Sequence, residues 1–157
     1  MSDARPSWSA PKFTPGDRVA VLRTRWNTDI VDKLHAAAAA RLHQLGAAVE
    51  DHVVPGAFEL PTAASWAAKS GRFAAVICLG CVIRGDTPHF DFVAGGCATG
   101  LREVGQATGV PVIFGVLTVN THEQAVARAG GEHGDAGLEA ADAAAGMVAV
   151  KRAIHAG

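Results

Sequence analysis

No stretch of this 157-residue chain approaches the roughly 18 consecutive apolar residues that cross a bilayer, so no membrane partner is expected. Runs of like charge are also missing. The 14 basic and 15 acidic residues are interspersed, which leaves out the electrostatic footprint of a nucleic-acid binder. The first fifteen residues are polar, carry Pro6, Pro11 and Pro15, and lack the apolar core of a signal peptide. A cytoplasmic protein with an extended tail over residues 1–15 is the expectation. Cysteine is scarce, and Cys78, Cys81 and Cys97 make an odd number that suits reduced thiols rather than a disulfide framework.

Cys78 and Cys81 have the spacing of a redox or zinc pair, but they lie inside an apolar run. On a strand, residues three apart point to opposite faces, so these two thiols diverge and serve as packing residues. His35, His43, His52 and His155 show no ligand spacing, and His122 and His133 have no assigned role. Neither a metal nor another cofactor is expected. Arg84-Gly85-Asp86 matches a three-letter adhesion motif of little specificity in a chain with no sign of secretion.

What the sequence does hold is one alternating series of strands and helices over residues 16–157, read as a single domain. Arg18–Arg23 reads as a buried strand. A helix capped by Asn27 or Thr28 then runs through the alanine tract to Gly46. Strand Val49–Val54 ends at Pro55-Gly56, and helix Glu59–Ser70 tolerates Pro61 in its first turn. Phe73–Cys81 is a continuous apolar run, as in a central strand covered on both faces. A helix from about Pro88 to Gly109, strand Val110–Leu117, helix Thr121–Ala129, a glycine-rich loop and a last helix from Ala136 to Ile154 complete the chain. This alternation predicts an α/β fold: a three-layer αβα sandwich around a mostly parallel four-stranded sheet, flavodoxin-like in outline.

In such folds ligands bind at the carboxyl ends of the strands, and the unusual residues collect there. Arg25, Trp26 and Asn27 follow the first strand, and Ala57, Phe58 and Glu59 follow the second. Arg84 to His89 follow the third, and Asn120 and Thr121 follow the fourth. Thr87-Pro88-His89 reads as a helix start, with Thr87 as N-cap and Pro88 as the first helical residue. Unpaired N–H groups there, after Gly85, form an anion cradle edged by Arg84. His89 is either a proton carrier near neutral pH or an incidental surface residue beside a cap. Trp26 either stacks on a flat ligand or packs as a half-buried aromatic. Glu59 either serves its own helix or accepts hydrogen bonds from ligand hydroxyls.

Four segments carry a family pattern in order and in register: Val54–Pro61 (VPGAFELP), Gly80–Gly95 (GCVIRGDTPHFDFVAG), Gly115–Gly130 (GVLTVNTHEQAVARAG) and Gly137–Ala144 (GLEAADAA). Together they resemble the 6,7-dimethyl-8-ribityllumazine synthases of riboflavin biosynthesis. The resemblance implies condensation of 5-amino-6-(D-ribitylamino)uracil with 3,4-dihydroxy-2-butanone 4-phosphate, without metal or redox cofactor. By motif, Trp26 would stack on the pyrimidine with Asn27 beside it, and Ala57, Phe58 and Glu59 would line the ribityl pocket. Cys81, Val82 and Ile83 would lie along the ring. Gly85, Asp86 and Thr87 would hold the phosphate with Arg128 of a neighbouring subunit, His89 would transfer protons, and Phe114 would cover the ring across the interface. It also implies a homo-oligomer, a pentamer or an icosahedral 60-mer, with the tail lying along a neighbour's sheet. Riboflavin synthase would be the pathway partner.

Two departures from the family pattern stand out. Ala136 occupies the place of a lysine common in the family, and the Gly95-Gly96-Cys97 region replaces a common glutamate. The first implies weaker substrate binding than in lysine-bearing relatives. Three other readings compete: a specialised paralogue that binds lumazine or flavin, a flavodoxin-like electron carrier and a structural shell protein. The carrier needs a glycine-containing phosphate loop after the first strand, and Arg23 to Asn27 contains none. The shell protein has no reason to hold Arg84, Thr87, His89 and Arg128 in matching positions.

Overall fold

The computed structural model describes residues 8–157. Its elements are β1 (Arg18–Thr24), α1 (Thr28–Gln44), β2 (Ala48–Val54), a 3-10 turn (Ala57–Glu59) and α2 (Leu60–Lys69). They continue with β3 (Ala75–Ile83), α3 (His89–Thr108), β4 (Val112–Val119), α4 (His122–Arg128), β5 (Ala129–Gly131), β6 (Gly134–Asp135) and α5 (Ala136–Ala156). Strands β2-β1-β3-β4 pair in that order, all parallel, so the expected αβα sandwich is the observed fold.

Strand alternation divides the core. Val19, Val21, Ile77 and Leu79 face α1 and α5, where they meet Ile30, Leu34 and Leu42. Ala20, Leu22, Val76 and Cys78 face α2 and α3, with Leu60 and Leu101. Cys78 and Cys81 fall in opposite layers, as their spacing requires. Small residues bring the helices close. A Cβ on Gly137 of α5 would lie 2.1 Å from the Leu34 carbonyl oxygen of α1, and one on Gly100 of α3 would lie 2.7 Å from the Pro61 ring. The helix stops read from the sequence fall where expected, because Gly46, Gly71 and Gly109 all take positive φ.

Several boundaries move. β3 and β4 run two residues further than the apolar runs suggest, because their backbones keep pairing through Val82↔Thr118 and Ile83↔Val119. The expected glycine-rich loop contains a small antiparallel ribbon, β5 against β6, which leads into α5. Asp135 caps that helix, its Oδ1 accepting from Gly137 N at 3.0 Å and Leu138 N at 3.2 Å.

The expected tail is part of the domain at its far end. Phe13 is buried in the α1–α5 layer, and its N–H donates to the Leu45 carbonyl at 2.8 Å. Trp8 lies against Gly146 of α5. Ala10 also packs against that layer, so the described part of the expected tail rests on the domain, and residues 1–7 lie outside the described ones. No described helix is long and apolar enough to cross a membrane.

Candidate functional site

The sheet order creates the site. The connection after β1 leads outward to β2, whereas the one after β2 returns across β1 to β3. Chains leaving the carboxyl ends of β1 and β3 therefore part in opposite directions and leave a crevice, the usual ligand position in open α/β sheets. A cleft of about 710 Å³ occupies it, lined by residues from the end of β1 and the loops after β1 and β2, from the last residues of β3 and from the first turns of α3.

From the β1 loop come Trp26 and Asn27. Trp26 is 69% exposed, so it is not the core aromatic of its alternative reading. Asn27 takes φ 54° and ψ 53°, and it alone among the described non-glycine residues has positive φ. Its side chain does not cap α1. Instead Nδ2 donates to the Cys81 carbonyl at the end of β3 at 2.9 Å, tying two strand ends together.

From the β2 loop come Gly56, Ala57, Phe58 and Glu59. Gly56 allows a close approach, since a Cβ there would stand 3.0 Å from Glu59 Oε2 and 3.5 Å from Trp26 Nε1. Glu59 closes the 3-10 turn at the N-cap of α2 but makes no side-chain capping bond. Its side chain lines the cleft. Phe58 is 62% exposed and leans on α3, where Gly96 leaves room for its ring: a Cβ at Gly96 would sit 3.1 Å from Phe58 Cε1.

From β3 come Cys81, Val82 and Ile83, followed by the exposed loop Arg84 to Pro88 and then His89. Burial pushes the Cys81 thiol up to about 11, and the Asp29 carboxylate adds to the shift, so this floor of the cleft is neutral. The helix start differs from the sequence reading. Pro88, with helical φ −66° and ψ −1°, is the N-cap, and His89 is the first helical residue. Proline's fixed φ suits that position as well as the first turn, and Thr87 Oγ1 instead accepts from the His89 N–H at 3.4 Å. Among the described residues, the N–H groups of Gly85, Asp86 and Thr87 make no hydrogen bond.

Arg84 does not point into this loop. Its Nε donates to Asn120 Oδ1 at 2.9 Å, a terminal nitrogen lies 3.5 Å from Asp91 Oδ1, and its guanidinium stacks 4.3 Å over the Phe90 ring. Asn120 belongs to the corner before α4, where Thr121 and Gln124 form a capping box.

Nine of the residues singled out from the sequence meet in the cleft: Trp26, Asn27, Ala57, Phe58, Glu59, Cys81, Val82, Ile83 and His89. Gly85, Asp86 and Thr87 flank it as the loop between Ile83 and His89. Phe114 and Arg128 are elsewhere. Phe114 lies opposite Cys78 in the middle of edge strand β4 and is 44% exposed, while Arg128 is exposed at the last residue of α4. Sequence reasoning passed over Phe92 and Val93, which also line the cleft. They stand three and four positions after His89, so the helical repeat was the signal available. Among the described residues, no group of three histidine, cysteine or acidic side chains is placed to hold a metal.

The arrangement offers an exposed indole, an unpaired carboxylate, an imidazole and free N–H groups around a neutral apolar floor. Residues 16–152 match the family described as 6,7-dimethyl-8-ribityllumazine synthase, which takes in every one of these groups. With this match running through almost all of the sequence, and a cleft at the switch point of its sheet, the chain belongs to the 6,7-dimethyl-8-ribityllumazine synthase family, transferases of riboflavin biosynthesis.

Proposed function

We propose that this protein condenses 5-amino-6-(D-ribitylamino)uracil with 3,4-dihydroxy-2-butanone 4-phosphate to 6,7-dimethyl-8-ribityllumazine, releasing phosphate and water. The observation that carries the reading is the convergence of Trp26, Glu59 and His89 on one cleft, beside the unpaired N–H groups of residues 85–87. Trp26 stacks on the pyrimidine, with Asn27 beside it and the backbone of Cys81, Val82 and Ile83 along the ring edge. Ala57, Phe58 and Glu59 receive the ribityl chain, whose hydroxyls donate to the Glu59 carboxylate. Gly85, Asp86 and Thr87 bind the phosphate, a use suited to free backbone donors at a helix start.

The chemistry is a sequence of proton transfers: the amine of one substrate forms a Schiff base with the ketone of the other, phosphate is eliminated, and the ring closes. His89, next to the phosphate loop and inside the cleft, takes and returns those protons. Holding two reactants within one pocket supplies much of the acceleration. Phe114 and Arg128, both exposed and away from their own cleft, act on a neighbour's site in a pentamer or a 60-subunit shell. Such an assembly works in the cytoplasm and passes its product to riboflavin synthase.

Lumazine formation from the two substrates, followed by absorbance and fluorescence, tests the reading. The wild-type chain is expected to exceed the spontaneous reaction, and His89→Ala to fall well below the wild-type rate. A wild-type rate equal to the background overturns it. That outcome favours the second reading, a paralogue that binds lumazine or flavin without making it, which Ala136 at the place of a family lysine supports.

A further inference from the structure

Three side-chain bridges join the carboxyl ends of β1, β3 and β4 into a closed ring. Asn27 reaches the Cys81 carbonyl at 2.9 Å, and β3 then runs to Arg84, which donates to Asn120 at 2.9 Å. Two residues after Asn120, at the start of α4, His122 Nε2 meets Asp29 Oδ2 at 2.6 Å. Asp29 lies in the first turn of α1, two residues from Asn27, and this closes the circuit. The hydrogen bond from His122 holds the Asp29 carboxyl below its ordinary value.

We propose that Asp29 and His122 are positioning residues for the reaction: their bond fixes the start of α1, and with it Trp26 and Asn27, against the corner that holds Arg84 and the phosphate loop. Neither residue lines the cleft, so neither touches a substrate. Nor does folding require the pair. α1 is already anchored by Ile30, Val31 and Leu34, all essentially inaccessible, and the Asp29 and His122 side chains are 61% and 48% exposed. Exposed pairs of this kind add little to stability. What the pair adds is a second attachment. The backbone of this turn is already held by β1 before it and by the bonds from the Ile30 and Val31 N–H groups to the Asn27 carbonyl after it, but across the strand ends Asn27 reaches only β3. His122 ties the turn to the corner before α4 as well, and this sets the separation between the Trp26 ring and the N–H groups of residues 85–87.

The inference rests on the reading of the cleft given above, because only two substrates bound side by side make that separation matter. Small errors in it are costly to a bimolecular step. His122→Ala and Asp29→Ala are each expected to lower kcat about threefold to tenfold, with both KM values within about twofold of wild type. The double variant should be no slower than either single one. Asp29→Asn, which still accepts a hydrogen bond from the imidazole, should retain the wild-type kcat.

A second measurement needs no turnover. With Trp26 as the sole tryptophan, in a Trp8→Phe, Trp66→Phe background, the amplitude of the fast component of its fluorescence anisotropy decay should rise about twofold on His122→Ala. A folded His122→Ala variant with an unchanged anisotropy decay overturns the inference, as do unchanged kcat or additive losses in the double variant. A wild-type chain that makes no lumazine overturns instead the reading of the function.

Discussion

Asn27 holds the end of a strand 54 positions further along the chain: its Nδ2 donates to the Cys81 carbonyl at 2.9 Å while its own backbone sits at φ 54°. Asparagine tolerates that left-handed conformation better than other side chains, and here the same residue satisfies a carbonyl on the cleft floor. Asn27→Gly removes the hydrogen bond, while its relief of the left-handed backbone and its loosening of the unfolded chain oppose each other, and it is expected to cost about 1 kcal/mol in urea denaturation. Asn27→Ala removes the bond and adds left-handed strain, for about 2 kcal/mol or more. Equal losses in the two variants contradict this division.

A second prediction concerns acid. Arg152 of α5 donates two hydrogen bonds of 2.7 Å to Asp17, just before β1, and with the Thr14 bonds this lowers the Asp17 carboxyl to about 2. A carboxyl depressed in the folded state binds fewer protons there than in the unfolded chain, so its contribution is complete above the unfolded value near 3.8 and is lost as pH falls towards 2. Arg152→Met keeps the apolar stem and removes the donor. Its stability should therefore fall less steeply between those two pH values than that of wild type, in denaturation curves compared across the window. Parallel curves would show that the pair does not carry the linkage.

The cysteines give a third. Burial raises the thiols of Cys97 and Cys81 to about 11 and that of Cys78 further still. At pH 8 only about a thousandth of the Cys81 or Cys97 population is thiolate, the form that reacts. The native protein should resist a thiol reagent at that pH and expose all three groups on unfolding. Cys81, which lines the cleft, should label first as the pH is raised. Fast labelling of the native chain at pH 8 is the contrary result.

Ala136 supplies the fourth. It is the first residue of α5, packed at the margin of the core, at the place where the family resemblance implies a lysine. Ala136→Lys is expected to lower KM about fivefold to tenfold for at least one substrate, the effect of one added charge-assisted hydrogen bond. Michaelis constants that stay put for both substrates refute it.

The sequence shows the layers plainly because they rest on local chemistry. Apolar runs mark β3 and β4, alanine marks the long helices, and Gly46, Gly71 and Gly109 mark where helices stop. Features that depend on a remote partner are not legible in this way. The extra residues of β3 and β4 exist because each backbone pairs with the other. Phe13 looks like part of a loose tail until Leu45 meets it. The candidate site divides along the same line. Trp26, Glu59 and His89 stand out as odd residues at strand ends. Phe92 and Val93 look like ordinary helix residues, and Asp29 and His122 lie 93 positions apart with no spacing rule to connect them.

The sheet order also governs the sequence of events in folding. The central strands β1 and β3 are neighbours, as in Val19↔Ala75, yet α1, β2 and α2 lie between them in the chain. The pairing that creates the crevice must therefore close a long loop before any contact rewards it, and such non-local closure slows folding. β1, α1 and β2 can associate from nearby segments, whereas the ligand-binding edge waits for β3 to arrive. During synthesis the cleft cannot close before β3 and the first turns of α3 have been made, while β4, α4 and α5 are still to come.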